Sequence, residues 1–159
     1  MRRLWLLATL TACKGPYADV SGTINGATFD EVGSAFNAGP HIVLFAEKVD
    51  CMTADFVERA YSDGDVPTTE AFTALQFSAM EVETFNPGTF VFEPNSEVRS
   101  YGLTATGDTF VADRGREGYV AVTEVDPNGQ WVVGEFDLSF TDDAVAGEFR
   151  TEYCRNMQP

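Results

Sequence analysis

The chain has 159 residues, a length that suits one domain with a sizeable core and leaves little room for a second. Hydrophobic residues make up 44% of it, including 13 Phe, so it can bury enough apolar surface to fold. Asp and Glu number 25 against 10 Lys and Arg, a formal net charge of −15, which argues against a nucleic-acid partner and against adsorption to anionic lipid headgroups. The longest apolar runs fall well short of the roughly 20 residues of a membrane-spanning helix.

The first thirteen residues have the parts of a targeting signal. Arg2 and Arg3 give a basic start, an apolar run covers residues 4–10, and small residues precede Cys13. This is the order of parts in a secretory signal peptide. The segment Leu10-Thr11-Ala12-Cys13 resembles the lipobox of bacterial lipoproteins, position by position.

The resemblance implies cleavage after Ala12, a diacylglycerol on the Cys13 sulfur and usually an N-acyl chain on the new terminus, with palmitate as the expected acyl group. Two or three acyl chains give stable anchoring. Lys14 replaces the Asp that retains enteric lipoproteins at the inner membrane, so it favours the outer membrane, on either its periplasmic or its surface side. The predicted organisation is a signal peptide at 1–12, a lipidated tether at 13–18 and one domain at 19–159. The competing interpretation is a buried N-terminal helix that carries an ordinary cysteine.

Export would place the two other cysteines in an oxidising compartment. In an oxidising compartment, Cys51 and Cys154 most simply form a disulfide. Such a bridge would close a loop of about 100 residues and would constrain the unfolded chain strongly. The alternatives are two buried thiols and, less favoured, a metal site, since His41 is the only histidine.

Short strands separated by turn signals dominate the rest of the chain. Asn25-Gly26 and residues 126–129 are strong hairpin turns, and residues 37–40 read as a loop. The apolar run at 41–46 is typical of a strand buried on both faces. Thr53 is a possible cap for the single predicted helix, at 53–61. The predicted strands cover 20–24, with a short return at 27–29, and then 41–46, 71–80, 89–93, 101–105, 108–112, 119–125, 131–140 and 145–154.

About nine short strands with one short helix predict an all-β fold, an antiparallel β-sandwich or alternatively a barrel. The alternation of strands and helices that produces a parallel sheet is absent. The order of Ser21–Gly26, Cys51, Pro87–Phe90 and a terminal hairpin at Gly134–Cys154 is similar to that of small β-rich envelope lipoproteins. That resemblance implies no particular activity.

The sequence contains no clear catalytic constellation. His41 cannot form a multi-histidine zinc site, and no Gly-x-Ser-x-Gly nucleophile turn is present. The acidic pairs Glu135/Asp137 and Glu148/Glu152 sit opposite inward-facing phenylalanines, so we expect them on a solvated face. We therefore predict neither an enzyme nor a cofactor.

Four acidic residues in turns are weak candidates for a calcium site, because calcium prefers oxygen ligands clustered in loops. The segment around Gly64 does not fit the register of an EF-hand, so no metal is expected. The candidates are Asp63, Asp65, Asp142 and Asp143.

Three residues are candidates for binding. Arg114 and Arg116 could hold an anion or a partner's carboxylate, or could lie in a solvated loop. Trp131 could be an exposed contact for a sugar or a protein, or could cover the sandwich edge.

The function that these features favour is a membrane-anchored cell-envelope lipoprotein with a structural or binding sandwich, whose partner is an unknown envelope protein or glycan. The alternatives are a hydrolase of envelope polysaccharide or peptidoglycan, which needs paired carboxylates, and a calcium-dependent adhesion module.

Overall fold

A computed structural model of the chain describes residues 17–54, 71–79, 84–93, 96, 98–107 and 109–155. Within these ranges the chain forms twelve strands, and a helix that begins at Cys51 is described over residues 51–54. The strands are β1 (Tyr17–Ile24), β2 (Ala27–Thr28), β3 (Ser34–Ala38), β4 (His41–Phe45), β5 (Phe72–Ala79), β6 (Gly88–Phe92), β7 (Val98–Thr106), β8 (Thr109–Arg114), β9 (Glu117–Val125), β10 (Val132–Ser139), β11 (Ala144–Arg150) and β12 (Glu152–Tyr153).

These strands form two six-stranded sheets. The first sheet has the order β2-β1-β11-β10-β9-β6 and is antiparallel throughout. The second sheet has the order β12-β3-β4-β5-β7-β8 and is antiparallel except where β12 pairs in parallel with β3. The two sheets pack on each other, and in the described part of the chain they do not close into a barrel. The predicted all-β sandwich is confirmed, and the barrel alternative is wrong.

The inter-sheet core is built from alternating residues of both sheets. In β10, buried Phe136 and Leu138 alternate with exposed Glu135 and Asp137, which is the pattern of a strand with one face inward. Phe77 of β5 lies at the centre of this core. Its ring centroid is 6.0 Å from that of Phe92, 5.5 Å from that of Phe136 and 6.1 Å from that of Phe149.

A second hydrophobic cluster lies on the outer face of the second sheet. In β4, Ile42 and Leu44 point into the inter-sheet core, whereas Val43 and Phe45 belong to the outer cluster, and all four are fully buried. The sequence prediction of a strand buried on both faces is therefore confirmed. The cluster is held by edge-to-face ring pairs, as of Phe45 with Phe36 and Phe72.

The Cys51–Cys154 disulfide lies against this outer cluster. The Cα atoms of the two cysteines are 5.4 Å apart, and the bridge spans 103 positions of sequence. It joins the start of the helix to the residue that follows β12, so it ties the outer layer to the end of the domain. The pairing predicted from the cysteine count agrees with this arrangement.

A repeated tripeptide explains how β10 and β11 fit together. Gly134-Glu135-Phe136 and Gly147-Glu148-Phe149 pair antiparallel about the Glu135–Glu148 pair. Each glycine therefore faces the phenylalanine of the other strand, and the two rings are 6.2 Å apart in the core. Both strands therefore meet the same packing requirement.

The structure corrects three strand boundaries. β1 begins at Tyr17, so the predicted tether at 13–18 overlaps it by two residues. The loop predicted at 37–40 is wrong for its first half, because Asn37 and Ala38 belong to β3. The predicted last strand at 145–154 is broken at Thr151, where the chain leaves the first sheet and joins the second as β12. Consequently Glu148 and Glu152 do not share a strand face.

The helix also starts earlier than expected. Asp50, not Thr53, is its cap, because the Asp50 carboxylate accepts hydrogen bonds from the Thr53 amide at 2.8 Å and the Thr53 hydroxyl at 2.9 Å. The Thr53 backbone hydrogen bond is the main cause that lowers the pKa of Asp50. The remainder of the predicted helix, 55–61, lies outside the described residues.

Candidate binding clefts

One cleft lies at the end of the sandwich where three turns meet. We call it the turn cleft, and its volume is about 700 Å³. The β9–β10 turn, the β3–β4 turn and the segment before β6 form its walls, because hairpins place their turns at the ends of the sheets. It is lined by residues 84–86 and 125–130 together with Asn37, Gly39, Ile42, Val132 and Tyr153.

The floor of the turn cleft is apolar, and its rim is polar. Ile42, Phe85 and Val132 are at most 4% exposed and belong to the inter-sheet core. The side-chain amides of Asn86 and Asn128 are exposed at the rim. An apolar pocket with a few convergent polar groups is the usual form of a small-ligand site.

Asp126 is the one charged residue among those that line the turn cleft in the described chain. Its carboxylate accepts hydrogen bonds from the backbone amides of Asn128 at 2.8 Å and Gln130 at 3.3 Å. Asp126 therefore holds the shape of its own turn, as Asp does in Asx turns. Pro127 follows it, and Gly129 supplies the positive φ of 70° that this turn needs.

A buried polar network supports the turn cleft from below. The Thr151 hydroxyl donates to the Asn37 side-chain oxygen at 2.6 Å and accepts from the Val132 amide at 2.9 Å. The Asn37 side-chain amide in turn donates to the Gly129 carbonyl at 3.2 Å. Asn37 is 7% exposed and Thr151 is 1% exposed, so the network joins the two sheets where the chain crosses between them. Such satisfied buried polar groups specify one arrangement of the strands around them.

A second cleft lies where β8 crosses to β9. We call it the crossover cleft, and its volume is about 810 Å³. Residues 113–118 form one wall and Val91, Phe92 and Glu93 form the other. The predicted anion-binding residues Arg114 and Arg116 both line it. They are accompanied by three carboxylates, of which that of Asp113 accepts hydrogen bonds from Thr141, so the cleft has mixed charge rather than a basic character.

Trp131 lies outside both clefts, on the outer face of the first sheet. Its neighbour Val132 is buried, so strand alternation turns the indole away from the core. The guanidinium carbon of Arg150 lies 5.0 Å from the centre of the indole ring, a cation–π contact. The ring is partly buried. A ligand contact by Trp131 stays a prediction.

His41 is the first residue of β4, and its side chain contacts a buried polar residue of the second sheet. Its Nδ1 atom is 3.0 Å from the Ser78 hydroxyl, which also accepts from the Gln76 side-chain amide at 3.1 Å. Burial lowers the pKa of His41. Ser78 is 4% exposed, so its hydroxyl is not presented to a substrate. Among the described residues, Gln76 Oε1 and Arg99 Nε, which are buried nearby, have no hydrogen-bond partner.

Asp143, one of the four acidic residues predicted as weak calcium ligands, stabilises a turn. The Asp143 carboxylate accepts hydrogen bonds from the Thr23 hydroxyl and, at 2.9 Å, from the Gly26 amide. It thereby holds the β1–β2 turn, in which Asn25 and Gly26 have φ of 50° and 75°. Asp142 is exposed, and the candidates at positions 63 and 65 lie outside the described residues. Within the described part of the chain, no three His, Cys, Asp or Glu residues are grouped to hold a metal ion.

Acidic side chains form a row across the outer face of the first sheet. Asp19 pairs with Glu148, and Glu148 pairs with Glu135. All three are exposed, as is Asp137 on the same face of β10. The nearby charge of Glu135 is the main cause that raises the pKa of Tyr119. The predicted solvated acidic face is therefore present, and like charges stand directly opposite one another on it.

The residues that line the turn cleft were not among those predicted from the sequence. The loop at 37–40 and the turn at 126–129 were recognised, but their meeting at one end of the sandwich depends on strand order. Strand order is set by contacts between residues far apart in sequence, such as Asn37 with Thr151. The sequence signal for these lining residues was their clustering in runs of turn-forming residues.

The described chain is a two-sheet β-sandwich. One cleft lies at the end where three turns meet, and another lies where β8 crosses to β9. Comparisons with protein-family models, with curated proteins and with solved structures gave no match to the chain. In the part of the chain that is described, no helix has the length and apolarity needed to cross a membrane.

Proposed function

We propose that this protein is a lipid-anchored component of the bacterial cell envelope whose β-sandwich is a binding module. The observation that carries the anchor is the segment Leu10-Thr11-Ala12-Cys13, which has the residues and the position of a lipobox. Acylation of Cys13 would supply the two or three chains that stable anchoring needs. Lys14 favours the outer membrane as the site of the anchor.

The start of β1 is consistent with this organisation. Tyr17 is four positions after Cys13 and already pairs with Arg150 in the first sheet. Four residues span at most about 14 Å when extended, so an anchored sandwich would stay close to the bilayer. The disulfide between Cys51 and Cys154 suits an oxidising compartment, and a net charge of −15 would keep the domain off an anionic membrane.

The binding role is supported by the two clefts. Their volumes fall in the range of about 300–1,000 Å³ that small-ligand sites occupy. For the hydrolase alternative, a pair of carboxylates would have to face a substrate across a cleft. Among the described residues, the turn cleft holds one carboxylate, whose Oδ2 atom accepts from its own turn, so binding is the better interpretation of that cleft. The crossover cleft holds three carboxylates beside Arg114 and Arg116, so it is the cleft to which the hydrolase alternative applies.

Replacing Cys13 with Ala tests the anchor. We expect the wild-type chain to sediment with membranes and to incorporate labelled palmitate, and the variant to do neither because the acyl acceptor is gone. The matched control is the double variant Cys51→Ser/Cys154→Ser, which removes the other cysteines and should stay lipidated. A Cys13→Ala chain that remains in the membrane fraction at the mobility of the mature protein would show that the anchor proposal is wrong.

A further inference from the structure

We infer that the turn cleft binds a neutral saccharide, either as a free oligosaccharide or as the sugar headgroup of a lipid. This deepens the binding role proposed above and does not depend on the lipid anchor. The inference rests on three properties of the cleft: its charge, its free hydrogen-bonding groups and its aromatic side chain.

The turn cleft carries little charge. Asp126 is the single charged residue among its described lining residues, and two backbone amides donate to one oxygen, Oδ2, of its carboxylate. The rest of the rim carries amides and hydroxyls. In a chain with a net charge of −15, a cleft of this size with one carboxylate and no basic side chain among its described lining residues does not suit an anionic ligand. Its chemistry matches a ligand that is itself neutral and rich in hydroxyl groups.

The rim offers groups of the kind that saccharide hydroxyls need. The side chains of Asn86 and Asn128 make no hydrogen bond to the protein in the described structure, and each has two donors and one acceptor. They come from different segments, one before β6 and one between β9 and β10, so they can contact a ligand from two directions. By contrast, the amide of Asn37 is engaged by Gly129 and its oxygen by Thr151.

Tyr153 adds the apolar contact. It is partly buried against the outer cluster of the second sheet and also lines the turn cleft, and its hydroxyl has no hydrogen-bond partner in the described structure. The C–H face of a sugar ring packs on an aromatic ring, while its hydroxyls bond to polar tips, which tyrosine offers together. The buried floor formed by Ile42 and Val132 excludes water beneath such a ligand.

The position of the cleft relates it to the anchor. Tyr17 pairs with Arg150, and Arg150 pairs with Val133, the second residue of β10 after the β9–β10 turn. The first residue of β1 therefore lies at the same end of the sandwich as the turn cleft. If the chain is anchored through Cys13, the cleft faces the zone next to the bilayer, where both free glycans and glycolipid headgroups are found.

The test is an NMR titration of the whole ¹⁵N-labelled chain in detergent micelles, which follows the side-chain amide signals of Asn86 and Asn128. One arm adds neutral oligosaccharides, cellotetraose and N-acetylchitotetraose. A second arm adds monogalactosyl diacylglycerol to the micelles, with sugar-free diacylglycerol as its blank. A third arm adds tetra-alanine. We expect both amide signals to move with a saccharide in the first or second arm, and the arm that responds identifies the source.

Variants connect the response to the cleft. Asn128→Ala and Tyr153→Phe each remove one hydrogen-bonding group, so each should weaken binding about tenfold, the equivalent of about 1.4 kcal/mol. Thr28→Ala is the control, an exposed residue of β2 at the opposite end of the sandwich, and should bind like wild type. Thermal melting of each variant establishes that it is folded.

The inference is overturned if no saccharide moves the two amide signals, if tetra-alanine moves them instead, or if folded Asn128→Ala and Tyr153→Phe bind as tightly as wild type. Membrane fractionation of the Cys13→Ala variant is read separately. A chain that binds saccharide but is not membrane-anchored refutes the anchor alone, and an anchored chain whose cleft does not respond refutes the saccharide site alone.

Discussion

At the scale of single residues, Thr151 links the two sheets through its hydroxyl group. It stands where the chain leaves the first sheet for the second, and its hydroxyl bonds to Asn37 and to the Val132 amide. We predict that Thr151→Val, which keeps the shape, costs about 1–3 kcal/mol for each buried group left unpaired. The free energy of unfolding in urea measures this loss.

Thr123 provides the matched control for that substitution. It lies exposed on β9, and its hydroxyl donates to the Val133 carbonyl, which water can reach. Thr123→Val should therefore change the free energy of unfolding by less than about 0.5 kcal/mol. Equal losses at the two positions would mean that the buried network does not stabilise the crossing.

Gly134 lies where neighbouring groups approach the backbone too closely for a side chain. A Cβ atom at this position would lie 2.5 Å from the Ala121 carbonyl oxygen and 2.7 Å from the Phe149 ring. We predict that Gly134→Ala destabilises the protein by about 1–3 kcal/mol, as overpacking does. Ser139→Ala, at an exposed position of the same strand, serves as the control in the same urea titration. A Gly134→Ala protein as stable as this control would contradict the packing argument.

At the scale of elements, the disulfide connects the helix start to the end of β12 and closes a long loop. We predict that Cys51→Ser/Cys154→Ser lowers the free energy of unfolding by about 2–5 kcal/mol, chiefly because the unfolded chain gains freedom. Urea titration measures the change, and non-reducing peptide mass spectrometry establishes the link in the wild type. Two free thiols in the folded wild-type protein would contradict the pairing.

Elements also differ in how well the sequence predicts them. β4 and β10 were predicted correctly because one is a continuous apolar run and the other alternates strictly. β3 was missed because Asn37 and Ala38 resemble a loop by composition. Asn37 is tolerated in a buried strand only because Thr151 and Gly129 satisfy its side chain, and these partners are 114 and 92 positions away. The turn cleft was missed for the same reason, since its walls are brought together by strand order rather than by neighbouring residues.

At the scale of the whole molecule, the burial of one titratable side chain couples folding to pH. That side chain is His41, at the start of β4. Burial lowers its pKa in the folded protein below the ordinary value of 6.5, so folding favours the neutral imidazole.

The sign of the His41 effect determines the last prediction. Its contribution to stability is fully present above pH 6.5, the pKa of the unfolded state, and is lost as the pH falls towards the lower pKa of the folded state. We therefore expect the free energy of unfolding of the wild type to decline between about pH 7.5 and pH 5.5, before most carboxylates titrate. His41→Gln retains an amide that can bond to Ser78 but does not titrate, so its stability should stay flatter over that interval. Urea titrations of both proteins across this range measure the difference, and identical slopes would show that His41 does not couple folding to pH.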